Sequence, residues 1–216
     1  MNWQIECTAM LFDMDGTLVD STPCIEGLWR RWAVRQHLDP DYVMQHVHGR
    51  RGIETIALVA PHLDAAAEVA LLLAEEARTL DGTVAIAGAA EFLALLHPEQ
   101  WAVVTSAPRS IALAKLAYAG LPTPLHIISA DDVSQGKPHP EAFLKGAALF
   151  NLAPQQCVAF EDALSGVQSA QAAGIPVIAL TSSHSKAQLS HAAQVIDNYH
   201  ALTLQIGAKM VISATQ

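Results

Sequence analysis

Seven polar side chains stand at the ends of short apolar runs in the sequence or in the loops that follow them: Asp13, Asp15, Thr105, Ser106, Lys137, Glu161 and Asp162. The set combines four carboxylates with one ammonium and two hydroxyls. It contains no group of three histidines or cysteines, so the metal that it suits is a hard, oxygen-seeking ion such as Mg²⁺. Mg²⁺ held by one or two carboxylates usually keeps some of its water and binds phosphate oxygens. These side chains therefore predict a site for a phosphorylated ligand.

The same residue types could also transfer a phosphoryl group. With a metal screening its charge, one of the two aspartates Asp13 and Asp15 could attack phosphorus and form an aspartyl-phosphate. The other could protonate the leaving oxygen, and later deprotonate the water that hydrolyses the intermediate. Lys137 would offset the repulsion between the acids and pair with phosphate, while Thr105 and Ser106 would offer hydroxyls to other phosphate oxygens. Positioning and charge neutralisation are the main requirements of phosphoryl transfer.

Short apolar runs that alternate with helical patterns predict the elements that carry these side chains. The predicted strands are residues 8–12, 101–104, 125–128, 157–160 and 175–180, and the predicted helices are 89–96, 110–118, 141–150 and 163–173. This alternation indicates an α/β fold with a parallel sheet covered by helices on both faces. Ligands bind beyond the carboxyl ends of the strands in such sheets, so we expect the polar side chains to meet in one crevice. A last strand near 193–196 and a terminal helix near 199–212 complete the prediction.

The stretch 18–83 shows only helical patterns. Its predicted helices are 23–37, 41–48, 53–60 and 64–80, the first opened by Thr22 as N-cap and Pro23 as the first helical residue. Six of the seven arginines lie in this stretch, whereas all five lysines lie in the remainder. We therefore predict a helical cap of residues 18–83 inserted into an α/β core of residues 1–17 and 84–216. An insert directly after the first strand is a candidate lid.

Composition excludes several classes of function. The 216 residues include 12 Lys and Arg against 21 Asp and Glu, a net charge of −9, and no basic stripe, so neither nucleic acid nor an anionic membrane surface is an expected partner. No apolar run reaches the roughly 18 residues of a membrane span. Three scattered cysteines suit neither a disulfide framework nor a cysteine zinc site. We expect a soluble, cytoplasmic protein, and its oligomeric state stays open.

The segment from Phe12 to Ser21, FDMDGTLVDS, resembles the first signature of the haloacid dehalogenase-like (HAD) phosphohydrolases. Three later stretches are similar to the second, third and fourth signatures of that family, in the same order: Thr105, Lys137-Pro138 and Glu161-Asp162. The resemblance extends over nearly the whole chain, because the helical insert stands where the family places its smaller cap. It implies a doubly wound, Rossmann-like core with that cap inserted.

The resemblance also implies a role for each acidic residue. Asp13 would be the nucleophile and Asp15 the general acid and base. Mg²⁺ would be bound by the side chain of Asp13, the backbone carbonyl of Asp15 and Asp162. Whether Glu161 assists metal binding stays open.

Several reactions run on this family's scaffold, and the sequence favours hydrolysis. A dehalogenase lacks an acid at the position of Asp15, whereas this chain has one. Phosphonatases and the β-phosphoglucomutase type rely on a lysine in the cap, and residues 18–83 contain none. The alternatives are a phosphosugar mutase, which would return the phosphoryl group to its substrate, and a non-catalytic regulator that only binds phosphate. Asp15 argues against the regulator, because a pure phosphate acceptor needs no acid/base beside its nucleophile.

The cap would select the substrate, since it touches whatever lies beyond the phosphate. The turn Gly49-Arg50-Arg51 resembles the Gly-x-Arg turn in the caps of glycerol- and sugar-phosphate phosphatases, with Arg51 at the matching position. An arginine there could hydrogen-bond substrate hydroxyls or the phosphate through its fork. The sequence therefore predicts a Mg²⁺-dependent phosphatase of sugar or sugar-alcohol monophosphates, acting on a small phosphorylated metabolite.

Overall fold

The computed structural model describes residues 3–214, which form eleven strands and eight α-helices. The strands are β1 (Gln4–Cys7), β2 (Ala9–Phe12), β3 (Val19–Asp20), β4 (Val84–Ala85), β5 (Trp101–Val104), β6 (His126–Ile128), β7 (Cys157–Glu161), β8 (Val177–Leu180), β9 (Gln194–Ile196), β10 (Leu202–Ile206) and β11 (Met210–Ala214). The helices are α1 (Thr22–Arg35), α2 (Pro40–Met44), α3 (Gly52–Val59), α4 (Ala65–Glu76), α5 (Ala89–Ala94), α6 (Arg109–Tyr118), α7 (Glu141–Ala148) and α8 (Leu164–Ala172). Between residues 3 and 214, none of them combines the length and hydropathy that a membrane span requires.

A six-stranded parallel sheet forms the centre of the core, in the order β6-β5-β2-β7-β8-β9. The predicted parallel α/β sheet is thereby confirmed. The chain leaves β2 and builds one side of the sheet with β5 and β6, then crosses to the other side with β7, β8 and β9. This reversal on either side of β2 is the kind of switch point at which α/β sheets bind ligands.

Both faces of the sheet are buried, which explains why its strands are apolar without alternation. Met10 and Phe12 of β2 belong to an apolar cluster that includes side chains of α5 and α6. Ala9 and Leu11 belong to a second cluster that includes side chains of α7 and α8. Successive residues of a strand point to opposite faces, so β2 is held from both sides. The residues that follow β2 are therefore placed by a rigid support.

The segment from α1 to α4 has an apolar cluster of its own, which includes Leu28, Trp32, Val43, Ile56 and Leu72. The Trp32 indole N–H donates a hydrogen bond of 2.9 Å to Glu68, which links α1 to α4. The helices α1 to α4 therefore pack around apolar side chains of their own beside the sheet. The boundaries of the cap at residues 18 and 83 stay a prediction.

Three local predictions in the cap segment were wrong. The stretch is not purely helical, because β3 pairs antiparallel with β4 where the chain leaves and re-enters the core. A two-residue strand is too short to give a periodic signal. The N-cap of α1 is Ser21 rather than Thr22, and the helix predicted at 41–48 ends at Met44 and is followed by turns.

The terminal helix predicted near 199–212 was also wrong. A short 3₁₀ turn at Tyr199–Ala201 leads into β10 and β11, and β11 pairs antiparallel with both β10 and β1. The partner strand β1 lies at the other end of the chain, so no local window of sequence contains the pairing that stabilises β11. Ile212 is fully buried in this small sheet. Long-range pairing of this kind overrides local propensity.

Candidate active site

The carboxyl ends of β2, β5 and β7 bring the predicted polar side chains to one crevice. Asp13 follows β2 and donates its backbone N–H to the Phe160 carbonyl of β7 at 2.9 Å. Thr105 follows β5 in the same way, donating its backbone N–H to the Ile128 carbonyl of β6 at 2.8 Å. The crevice opens into a cavity of about 290 Å³ between this edge of the sheet and the helices α1, α3 and α4. The predicted site residues that line it are Asp13, Asp15, Arg51, Thr105, Ser106 and Asp162.

Lys137 lies behind this cavity, with its ammonium buried against Asp13. Its Nζ donates to Asp13 Oδ1 at 2.5 Å, to Glu161 Oε1 at 2.6 Å and to the Val104 carbonyl at 2.9 Å, so all three donors are used. Burial alone would lower the pKa of Lys137, but the carboxylates of Asp13 and Glu161 outweigh it and raise that pKa above its usual value. The ammonium therefore stays charged and neutralises the acids around it.

Glu161 supports Lys137 from the end of β7. Its Oε1 accepts from the ammonium, while Oε2 accepts the backbone N–H groups of Asp162 at 3.1 Å and Ala163 at 3.3 Å. A Cβ at Gly166 would stand 1.9 Å from Glu161 Oε1, so only glycine leaves room for this carboxylate. The hydrogen bonds fix both oxygens of Glu161 in place.

Three buried carboxylates, Asp13, Glu161 and Asp162, could hold a metal ion. They can each offer an oxygen, and these oxygens lie within 4.8 Å of one another. Burial raises the pKa of Asp162 to about 8, with the charge of Glu161 as the next cause. Burial also raises the pKa of Asp13 well above its usual value, against the opposing effect of Lys137. When all three carboxylates are ionised, the single ammonium leaves excess negative charge, and oxygen donors of this kind fit a divalent cation.

The turn after β2 brings the backbone close to Asp162. Gly16 has φ +83°, a left-handed conformation, and a Cβ there would stand 2.0 Å from Asp162 Oδ2. Glycine is therefore required on both grounds. Thr17 follows it and donates its hydroxyl to Asp162 Oδ1 at 3.3 Å. The DxDGT segment thus packs directly against the second acidic segment.

Asp15 is held by residues other than those that hold Asp13. Its Oδ1 accepts hydrogen bonds from the Ser21 hydroxyl and from Lys115 Nζ, the latter at 2.7 Å. The Lys115 ammonium also contacts Glu76 Oε1 in α4 at 2.6 Å. Sequence reasoning missed Lys115, which belongs to no recognised motif. The helical spacing of the sequence could have marked it, since Lys115 lies on the same face of α6 as the buried residues Ile111, Ala112 and Leu116.

Thr105 and Ser106 both line the cavity but are bonded differently. Thr105 Oγ1 accepts the Ala107 N–H at 3.1 Å, which leaves its hydroxyl proton free to donate. The Ser106 hydroxyl donates to the Gly49 carbonyl of the cap at 2.9 Å. The Thr105 hydroxyl therefore keeps a proton that it can donate, whereas the Ser106 hydroxyl is already bonded to the segment between α2 and α3.

The two arginines of the cap turn have different surroundings. The Arg51 guanidinium donates to the Val133 carbonyl at 2.9 Å and to the Ser134 carbonyl at 2.8 Å, and it is paired with Glu54. It therefore ties the cap to the loop that leads to Lys137. The Arg50 side chain lines the cavity and has no hydrogen bond or ion pair within residues 3–214. That Arg51 binds substrate stays a prediction.

The chain is similar to known hydrolases over most of its length. The profile of the haloacid dehalogenase-like hydrolases matches residues 7–174. Hexitol phosphatase A of Escherichia coli (strain K12) is 39% identical over 205 residues, which cover 93% of this chain and 95% of that protein. Glycerol-1-phosphate phosphohydrolase 2 of Saccharomyces cerevisiae is 34% identical over 191 residues, which cover 82% of this chain and 75% of that protein.

Solved structures show the same fold. A hydrolase from Pseudomonas syringae superimposes with a TM-score of 0.79 at 24% identity, over 87% of this chain and 92% of that one. A HAD family hydrolase from Deinococcus radiodurans, solved with bound phosphate and sodium, superimposes with a TM-score of 0.64 at 29% identity, over 88% of this chain and 90% of that one.

Binding of a divalent cation should depend on pH through Asp162. The pKa of Asp162 is about 8 in the folded protein, against an ordinary value of 3.8. Between these two pH values the carboxyl is protonated in the folded protein but ionised in the unfolded chain. Without metal, its contribution to the free energy of unfolding therefore falls as pH rises from 3.8 to about 8. A cation competes with that proton, so millimolar Mg²⁺ should raise the melting temperature more at about pH 9 than at about pH 6.

The control for this measurement is Asp162→Asn, which removes the titrating carboxylate. We expect it to abolish most of the Mg²⁺-dependent rise in melting temperature at both pH values. An equal rise at the two pH values in the original protein, or an unchanged rise in Asp162→Asn, would contradict a metal site at Asp162.

Proposed function

Because the chain belongs to the haloacid dehalogenase-like hydrolases, we propose that it is a phosphatase of sugar or sugar-alcohol monophosphates. The observation that carries the proposal is the buried Asp13 carboxylate, which lines the cavity and is paired through Oδ1 with the charged Lys137. The similarity to a hexitol phosphatase and a glycerol-1-phosphate phosphohydrolase over most of the chain supports the substrate class.

Asp13 is the nucleophile in this proposal. Its Oδ1 is bound by Lys137, and its Oδ2 has no hydrogen bond among residues 3–214. Oδ2 attacks phosphorus, an oxygen–phosphorus bond forms, and the bond between phosphorus and the ester oxygen breaks. Lys137 offsets the negative charge of the acid cluster, which favours the ionised form that the attack needs.

Asp15 moves the protons of both steps. It stands two residues after the nucleophile and lines the same cavity. In the first step it gives a proton to the departing ester oxygen, and in the second it takes a proton from the water that attacks phosphorus. The second attack breaks the bond between phosphorus and Asp13 and releases inorganic phosphate. The Thr105 hydroxyl donates to a phosphate oxygen in both steps.

The metal in the proposal is Mg²⁺. The carboxylates of Asp13 and Asp162 and the backbone carbonyl of Asp15 would hold it, and when bound it would neutralise phosphate charge. Glu161 is left to support Lys137, because both of its oxygens already accept hydrogen bonds.

The cap limits the size of the substrate. We propose that residues 18–83 form this cap and that residues 1–17 and 84–216 form the core. The cavity of about 290 Å³ lies just below the usual range for ligand pockets, about 300–1,000 Å³. Such a volume favours a compact metabolite over a phosphoprotein. Hydrolysis is favoured over the mutase reaction because residues 18–83 contain no lysine.

Phosphate release from a panel of monophosphate esters tests the proposal directly. With Mg²⁺ present, the protein should release phosphate from glycerol, hexitol and ketose phosphates, and excess chelator should stop the reaction. Asp13→Asn should lower kcat by roughly a thousandfold or more, since an amide is not a competent nucleophile. Asp41→Asn, on the exposed surface of the cap, is the matched control and should keep full activity. No release from any ester, or Asp13→Asn activity within tenfold of the original, would refute the proposal.

Replacing either of the two adjacent arginines, Arg50 and Arg51, should change kcat/KM in a different way. We expect Arg50→Ala to lower kcat/KM for sugar phosphates by about ten- to a hundredfold, the loss of one charge-assisted hydrogen bond. A simple aryl phosphate, which has no sugar hydroxyls, should change little. Arg51→Ala should lower kcat/KM for both substrate types alike, because Arg51 holds the loop that leads to Lys137.

The ratio of kcat/KM for the two substrate types is the quantity to measure in each variant. If Arg51→Ala changes this ratio and Arg50→Ala does not, then Arg51 is the substrate ligand, as the sequence predicted. In that case Arg50 does not contact the sugar.

A further inference from the structure

We propose that Lys115 is a positioning residue that orients Asp15 for proton transfer. It lies in α6, outside every segment that the family resemblance covers with a signature. The inference rests on the proposed function, since it concerns the residue that moves the protons of that reaction. It adds a second buried lysine to the site, with a task separate from that of Lys137.

The Lys115 side chain is buried, and its ammonium forms ion pairs with two carboxylates. Its Nζ lies 2.7 Å from Asp15 Oδ1 and 2.6 Å from Glu76 Oε1, and the side chain is 1% exposed. The side chains of its two acidic partners are more exposed, that of Asp15 at 25% and that of Glu76 at 12%. The ammonium is thus enclosed while its acidic partners reach the cavity that they line.

Stability alone is a weak reason for this arrangement. A buried ion pair gains little over well-packed apolar residues of similar volume, because both charges lose their hydration. Lys115 lies on the buried face of α6, where the other buried residues, Ile111, Ala112 and Leu116, are apolar. The contribution of Lys115 therefore lies in how it positions Asp15 and Glu76.

The effect on Asp15 is specific to one oxygen. Lys115 and Ser21 both donate to Oδ1. Oδ2 of Asp15 has no hydrogen bond within the described part of the chain. Two donors on one oxygen fix the rotation of the carboxylate and leave the other oxygen free. We infer that Oδ2 is the atom that gives a proton to the leaving group and takes one from water.

Glu76 connects this orientation to the cap. It is the last residue of α4 and lines the cavity, whereas Lys115 and Asp15 belong to the α/β core. One ammonium therefore bridges a cap carboxylate and the proton-transfer carboxylate. The seating of the cap and the orientation of Asp15 depend on the same buried cation.

The test compares Lys115→Met with Asp15→Asn on two substrates that differ in their leaving group. The alkoxide of glycerol 1-phosphate needs a proton to depart, whereas nitrophenolate leaves without one. We expect Lys115→Met to lower kcat for glycerol 1-phosphate by about a hundredfold, with KM within about twofold, because general acid–base catalysis contributes about 10²–10⁴. Lys115→Arg should restore a substantial part of the rate.

With p-nitrophenyl phosphate, the same variant should behave differently. The first step should persist and give a burst of about one nitrophenolate per active site, followed by slow turnover, because water still needs Asp15 as its base. Asp15→Asn should give the same burst. In the Asp15→Asn background, Lys115→Met should cause no further loss, since two residues that act through one group are not additive. Lys209→Met, an exposed lysine paired with Glu6, is the control.

The outcomes separate this inference from the proposed function. If the original protein releases no phosphate from any ester, the proposed function fails and the inference fails with it. If the original protein is active but Lys115→Met slows both substrates equally without a burst, or adds a further loss to Asp15→Asn, then Lys115 is only structural and the inference is overturned. Should Lys115→Met not fold, the double variant Glu76→Gln/Lys115→Met is compared with Glu76→Gln by the same measurements. Replacing Glu76 removes the carboxylate of α4 that the loss of Lys115 would leave unpaired.

Discussion

The site is organised by one buried ammonium, that of Lys137, between the carboxylates of Asp13 and Glu161. Carboxylates withdrawn from water lose hydration, and several of them together repel one another. Lys137 relieves this by donating to Asp13, Glu161 and the Val104 carbonyl at once. The contact requires β2, β5 and β7 to lie side by side in one register, because each of the three partners stands at the end of a different strand. The parallel order of the sheet is thus the condition for the charge balance of the site.

The two aspartates of the first segment each have a buried lysine, and the lysines come from different parts of the core. Lys137 reaches Asp13 across 124 positions of sequence, and Lys115 reaches Asp15 across 100. Asp13 is buried and is one of the carboxylates that could hold a metal ion, whereas Asp15 is more exposed and is linked through Lys115 to Glu76 of α4. Different surroundings for two like residues are what a nucleophile and a proton carrier require. Arg50 and several apolar side chains of α1, α3 and α4 line the same cavity, and in the proposed function they contact the substrate beyond its phosphate.

The sequence predicted the features that are encoded locally. Apolar runs that end in polar residues located the central strands, and the topology of an α/β sheet then placed Asp13, Thr105 and Asp162 at one edge. Features that depend on distant partners were not predictable in this way. The strand β11 pairs with β1 from the opposite end of the chain, so its local pattern suggested a helix. Lys115 carries no motif, and only its place on the apolar face of α6 marks it. The hydrogen bonds of Arg51 depend on how the cap rests on the core, which no spacing in the sequence records.

Identification of the phosphorylated residue tests the central claim most directly. The Asp15→Asn variant should form the aspartyl-phosphate from an aryl phosphate and hydrolyse it slowly, because its water lacks a base. Acid quenching, proteolysis and mass spectrometry of that variant should find one phosphoryl group on the peptide that contains Asp13, and none when Asp13 is also replaced by Asn. Release of phosphate at an undiminished rate, with no phosphorylated Asp13 at any time, would contradict the account.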